Sequence, residues 1–395
     1  MKKGFILKVS LLSASLIVAS APAINANIPA MAKAFSDIPL SMVEMLTTIS
    51  SLFLMISVFI SGFIAKKIGY KQTIILGLMI VVIAGTAPAF IDNFYIVLIS
   101  RAALGFGIGL FNSLLVSMIN YFYDGEEKSS LFGIQSACEG IGGMMITFIA
   151  GQLLKLNWQA PFYAYFIAVP VILLFAKFVP KIDTKDMLLK NQNQKSNDNQ
   201  SKGSFLPVIG YVGFIFIVAI LYMTMGIKVS SLITNEGIGS ASDGSSVIML
   251  LSLGSMLGGF TFGRLFKILK DYIFIIGLMM LAFAMVLIGI STNVLMCIIG
   301  GFIVGFGFRM IMPYLINKIN TSSIQNKTLA TSLLLVGFNL GSFLSPYGSI
   351  ILQKMAWLDN LRGLFYIDAL CFVALSIISI IFVMIIKNRN VKGSL

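Results

Sequence analysis

The side chains of this chain that are able to do chemistry are few and sit in apolar company. Glu139 and Asp368 are carboxylates inside long hydrophobic runs, and Arg101, Lys228 and Arg309 are cations inside others. A charge in such a run is costly to bury and is a functional candidate by default. A carboxylate within reach of a cation is moreover suited to proton exchange, since burial disfavours its charged form and the cation favours it. The sequence holds no histidine, which removes histidine metal sites, Ser-His and Cys-His catalysis and histidine proton relays. Cys138, Cys297 and Cys371 are far apart and each lies in an apolar run, so they read as small core hydrophobes and not as a disulfide or metal set. With no nucleophile–base arrangement, ligand set or Gly-rich phosphate loop ending in Lys-Ser or Lys-Thr, the reading is no enzyme, no metal and no cofactor.

The elements that must hold these groups follow from composition. Of 395 residues, 58% are hydrophobic and 11% charged, against about 25% charged in soluble domains. Only a bilayer accepts such an exterior. Stretches of about 20 apolar residues, the length of a spanning helix, occur twelve times: 8–28, 42–64, 72–90, 94–120, 130–153, 160–179, 206–231, 245–263, 272–291, 293–316, 327–352 and 363–386. With the N-terminus inside, 21 of the 28 Lys and Arg fall on the inner side, four outside, and Arg101, Lys228 and Arg309 within. That bias predicts both termini in the cytoplasm of a multi-pass plasma-membrane protein. The net charge of +13 is then met by anionic lipid and not by nucleic acid. Lys2, Lys3 and the run Leu11–Ala21 also have the layout of a cleavable signal peptide. Keeping them as a span preserves the even number.

The segment Lys181–Ser204 is rich in Asn, Gln, Ser and Lys and reads as a disordered cytoplasmic linker. It separates six-span bundles at 1–180 and 205–395. Offset by about 200 residues, the halves repeat: Ile75-Leu-Gly77-Leu-Met79 matches Ile275-Ile-Gly277-Leu-Met279, Gly105-Phe-Gly107 matches Gly305-Phe-Gly307, and Lys155-x-x-Trp158 matches Lys354-x-x-Trp357. Parallel repeats about an axis along the membrane normal, with a midplane site between them, belong to one large transporter class.

Three motifs make the likeness specific. Gly62-Phe-Ile-Ala65-Lys66-Lys67-Ile-Gly69-Tyr-Lys71, between spans two and three, resembles the signature loop of the major facilitator superfamily. Lys66 replaces the acidic residue that in the family joins a latch closing the cytoplasmic side. Arg101-x-x-x-Gly105-x-Gly107-x-Gly109 resembles a second motif, whose arginine is associated there with proton coupling or substrate binding. Glu139-Gly140-Ile-Gly142-Gly143 is similar to the antiporter motif of the drug-efflux branch, the drug:proton antiporters of multidrug resistance, although its proline is missing. Its glycines are expected to form a hinge surface by close packing on the other half.

The resemblance implies an all-α fold of twelve transmembrane helices in two pseudo-symmetric six-helix bundles. It also implies a monomeric secondary transporter in which Asn25 and Tyr222 lie on cavity-lining helices. Asn112, Lys228 and Asn339 are the further polar candidates for a substrate cavity, and Lys228 also reads as a side chain within a turn of the outer end. Arg309 reads as a headgroup anchor. Arg101 and Glu139 differ in depth by about 5 Å from the helical rise, so the expectation is that they meet as the coupling pair, with Asp368 as a second protonation site. The leading function is proton-coupled export of small molecules by alternating access. The alternatives are uptake or facilitated transport of a metabolite, and a transport-inactive sensor on the same fold.

Overall fold

The computed structural model describes residues 2–182, 206–321, 327–356 and 360–392. Among the described residues twelve helices are long and apolar enough to span a membrane: α1 (Gly4–Ala34), α2 (Leu40–Ile68), α3 (Tyr70–Ala89), α4 (Phe94–Phe122), α5 (Gly125–Leu153), α6 (Ala160–Phe178), α7 (Leu206–Asn235), α8 (Ala241–Leu269), α9 (Tyr272–Gly289), α10 (Val294–Thr321), α11 (Leu329–Met355) and α12 (Leu361–Ile381). The expected linker, from residue 183 on, and Trp357 lie outside the described residues.

Short-range chemistry sets where helices begin and end. Gly69 takes φ +93° and lets the chain turn from α2 into α3, a conformation costly for any residue with a Cβ. Asn93 caps α4, its Oδ1 accepting from the N–H groups of Tyr95 and Ile96 at 3.0 and 3.2 Å. A capping box of Ser240 and Asp243 opens α8. Within α1, Pro22 opens a 3₁₀ stretch, Ala21–Asn27, and Pro29 follows it, because proline lacks the N–H an α-helix needs there.

Two hydrophobic cores divide the chain. One gathers side chains of α1 to α6, the other those of α7 to α12, with Ile227 and Ala26 each crossing into the opposite core. The sequence repeat is repeated in packing. A Cβ on Gly77 would stand 2.7 Å from the Gly107 carbonyl oxygen, and one on Gly277 would stand 2.9 Å from that of Gly307. Gly105 lies against the Ser50 carbonyl as Gly305 lies against that of Leu251, and Gly85 meets Tyr165 as Gly289 meets Tyr366. Backbone-to-backbone contact of this closeness is how small residues bind membrane helices without a hydrophobic driving force. Between the halves, α5 packs along α8 and α2 along α11.

Candidate functional site

Side-chain contacts tie the two halves together across the seam at the end away from the termini. Thr48 of α2 donates to the Phe343 carbonyl of α11 at 3.2 Å, and Ser230 of α7 donates to the Ala26 carbonyl of α1 at 2.8 Å. Lys228 of α7 pairs with Glu44 of α2 at 2.6 Å, and Tyr347 of α11 reaches the Met45 sulfur at 3.8 Å. All these residues lie in the half of their helix away from the termini. At the termini face the ion pairs Lys8 to Glu127 and Lys318 to Asp271 each stay within a half.

Glu139 stands at the middle of α5, partly exposed, with Gln135 donating to its Oε1 at 3.3 Å. The cation acting on it is Arg309 of α10, which also acts on the Tyr222 hydroxyl. Tyr222 stacks on Phe308 at 4.2 Å, and Phe308 is tilted against Phe338 at 5.3 Å. Asn339, half-buried on α11, turns its amide to the Leu335 carbonyl at 2.9 Å. A mid-depth carboxylate of one half thus lies within electrostatic reach of a mid-depth guanidinium of the other, which also acts on Tyr222. Arg309 is not the headgroup anchor expected, because α10 continues to Thr321 and leaves it about 18 Å from that end at the helical rise.

Arg101 does not meet Glu139. It is fully buried, its Nε donating to the Leu46 carbonyl at 3.2 Å, one terminal nitrogen to the Tyr165 hydroxyl at 2.9 Å and the other to the Ala21 carbonyl at 2.8 Å. Tyr165 in turn donates to the Ser20 carbonyl at 3.0 Å. The break in α1 frees carbonyls, and a guanidinium with five donors satisfies them. Depth alone could not reveal this, since the partners are backbone atoms and a hydroxyl on three other segments.

Lys228 is buried, not snorkelling at the surface, because α7 runs on to Asn235. Its partner Glu44, the sole carboxylate of α2, is fully buried. Sequence reading missed Glu44, whose partner lies 184 positions away. Asp368 of α12 is also fully buried near Lys228. Asn25, in the 3₁₀ stretch, packs its amide nitrogen near Gly226 of α7. Asn112 is half-buried on α4.

The glycines divide by partner. Gly105 and Gly109 pack on α2, Gly107 on α3 and Gly142 on the Leu16 carbonyl of α1, all inside the first half, so these four are welds and not a hinge between halves. Gly140 meets Met256 of α8, and Gly143 meets both Ala19 and Ser252. The expected gating loop is mostly helix: Gly62, Lys66 and Lys67 lie in the last turns of α2, Lys71 in the first turn of α3, and only Gly69 stands between them. Lys66 and Lys67 are exposed, Gly62 has open space around it, and Lys71 donates to the Ala176 carbonyl at 2.6 Å. Neither Lys66 nor Lys67 forms an ion pair among the described residues.

A family model described as Major Facilitator Superfamily matches residues 10–346. The chain belongs to that superfamily. Its curated relatives include the quinolone resistance protein NorA of Staphylococcus aureus strain MSSA476, 23% identical over 300 residues, covering 72% of this chain and 74% of that protein. NorA of strain COL matches at 23% over 304 residues with the same coverage. Among solved structures, a mutant form of the nucleoside transporter NupG superposes with a TM-score of 0.76 at 11% identity, covering 95% of this chain and 98% of that one. As a major facilitator, this chain acts on small molecules in a lipid bilayer.

Proposed function

We propose that the protein is a proton-coupled exporter of small molecules, monomeric in the cell membrane with both termini in the cytoplasm. The carrying observation is Glu139, a half-exposed carboxylate at mid-depth of the seam, facing Arg309 from the opposite half. Ionised, Glu139 is attracted to Arg309 across the seam. Protonated, it releases that cation, so one proton changes the force between the halves. Substrate lies on the Tyr222–Phe308 ledge and competes for the same carboxylate, which is the requirement for exchange of substrate against proton. The antiporter-like stretch Glu139–Gly143 and the similarity to NorA support export.

The charge bias of the loops supports a cytoplasmic termini face. With that orientation, the ties at the opposite face fit an inward-open state. The test is flux in proteoliposomes under an imposed pH gradient. Wild type should move substrate against proton flow, and Glu139→Gln should lose at least about tenfold of the gradient-driven rate, one pH unit of driving force, while exchange without a gradient persists. Unchanged gradient-driven flux in Glu139→Gln would contradict the reading.

A further inference from the structure

The ion pair of the seam has a third member that the exchange at Glu139 does not use, and its reading as a gate rests on the transport function proposed above. Lys228 and Glu44 join α7 to α2 at 2.6 Å, with side-chain exposures of 3% and 0%. The second oxygen of Glu44 has no hydrogen-bond partner among the described residues. On α12, in the same half as Lys228, Asp368 is fully buried, and neither of its oxygens has a partner among the described residues. Thr224 lies beside it, but that hydroxyl gives its hydrogen to the Ile220 carbonyl at 3.2 Å. Lys228 acts on both carboxylates.

One buried cation therefore bonds a buried carboxylate of the first half and acts electrostatically on a second, Asp368, in its own half. Were both ionised, one negative charge would have neither water nor donor, and nothing would offset its desolvation. One proton on the trio removes that charge. Since Lys228 bonds Glu44, the proton belongs to Asp368.

We propose that Lys228 is a transferable counter-ion: paired with Glu44 it latches the face away from the termini, and a proton on Asp368 keeps it there. Loss of that proton breaks one O–H bond, sends the proton to water and leaves an anion on α12 that competes for the ammonium. Lys228 then turns to its own half, and Glu44 is released into water as the seam opens. A proton returning to Asp368 restores the latch.

The surroundings contain little else that titrates. Cys371 on α12 is under the influence of Asp368. Arg101, on the α4 side of α2, is held by carbonyls and Tyr165. Of the helices packed on α12, α9 has no charged residue, and α11 has none between Lys327 and Lys354.

The test is a distance measurement by pulsed electron spin resonance on the full chain. Its spin labels sit at Leu156→Cys and Leu295→Cys, exposed positions of opposite halves on the face away from the termini, with the native cysteines replaced by serine. A short distance at acid pH and a longer population growing at alkaline pH is expected. Asp368→Asn should give the short distance throughout, and Glu44→Gln the long one. Asp368→Glu should restore the pH response, which separates loss of a proton site from misfolding. A wild-type distance independent of pH, a persisting pH response in Asp368→Asn, or a closed Glu44→Gln would each overturn the latch. The readout needs no substrate. A pH-dependent distance in a protein without gradient-driven flux would overturn the exporter reading and keep the latch.

Discussion

Arg101 shows how far a single residue can be read from sequence. Its burial was legible, because about 10 Å of helix separates it from the nearer end at the helical rise. Its role was not, because its partners are the carbonyls of Ala21 and Leu46 and the hydroxyl of Tyr165, contacts that only the break in α1 and the packing of α2 and α6 create. The geometry makes Arg101 a fastener of the first half. Arg101→Lys keeps the charge but loses the fork, leaving carbonyls without donors at about 1–3 kcal/mol for each. A drop of several degrees in the thermal unfolding midpoint is expected, together with a proton-to-substrate ratio unchanged in the folded fraction. Normal thermal stability with an altered ratio would return Arg101 to the coupling machinery. Glu139 was legible for the opposite reason: no local feature explains a carboxylate at the middle of α5, whereas its partner Arg309 required the true length of α10.

At the scale of helices, apolar length and loop charge located all twelve spans, and what they left out were ends. The cations of α7 and α10 looked shallow because each helix extends four or five residues past its last strongly apolar stretch, to Asn235 and Thr321. The glycine pattern was legible as close approach but not as to which neighbour, since a helix presents its small residues to several partners at once. The welds have a direct consequence. A side chain at Gly105 would enter the Ser50 carbonyl, and one at Gly305 that of Leu251, so Gly105→Val or Gly305→Val should abolish the peak of folded protein on size-exclusion chromatography. Gly62→Ala, with nothing within 4 Å, should remain within about 0.5 kcal/mol of wild type. Equal tolerance at Gly62 and Gly105 would contradict the packing described for α2 and α4.

For the whole molecule, the repeat announced two similar bundles, and the paired contacts of Gly77 with Gly107 and Gly277 with Gly307 realise it. For the seam the sequence signals only the glycine stretch at 140–143, of which Gly140 and Gly143 meet α8, while its polar ties join residues as far apart as Met45 and Tyr347, 302 positions. Those ties lie at one face, and alternating access parts and re-forms them in each transport cycle. Motion of this kind is a rigid-body swing of packed bundles, not a deformation of either core. The most direct test is to replace Met45 and Tyr347 by cysteine in a background without native thiols, bridge them with a short reducible crosslinker, and follow flux in proteoliposomes. The bridge should stop transport, and its reduction should restore the rate. Undiminished transport with the bridge intact would show that the two halves do not alternate about this seam.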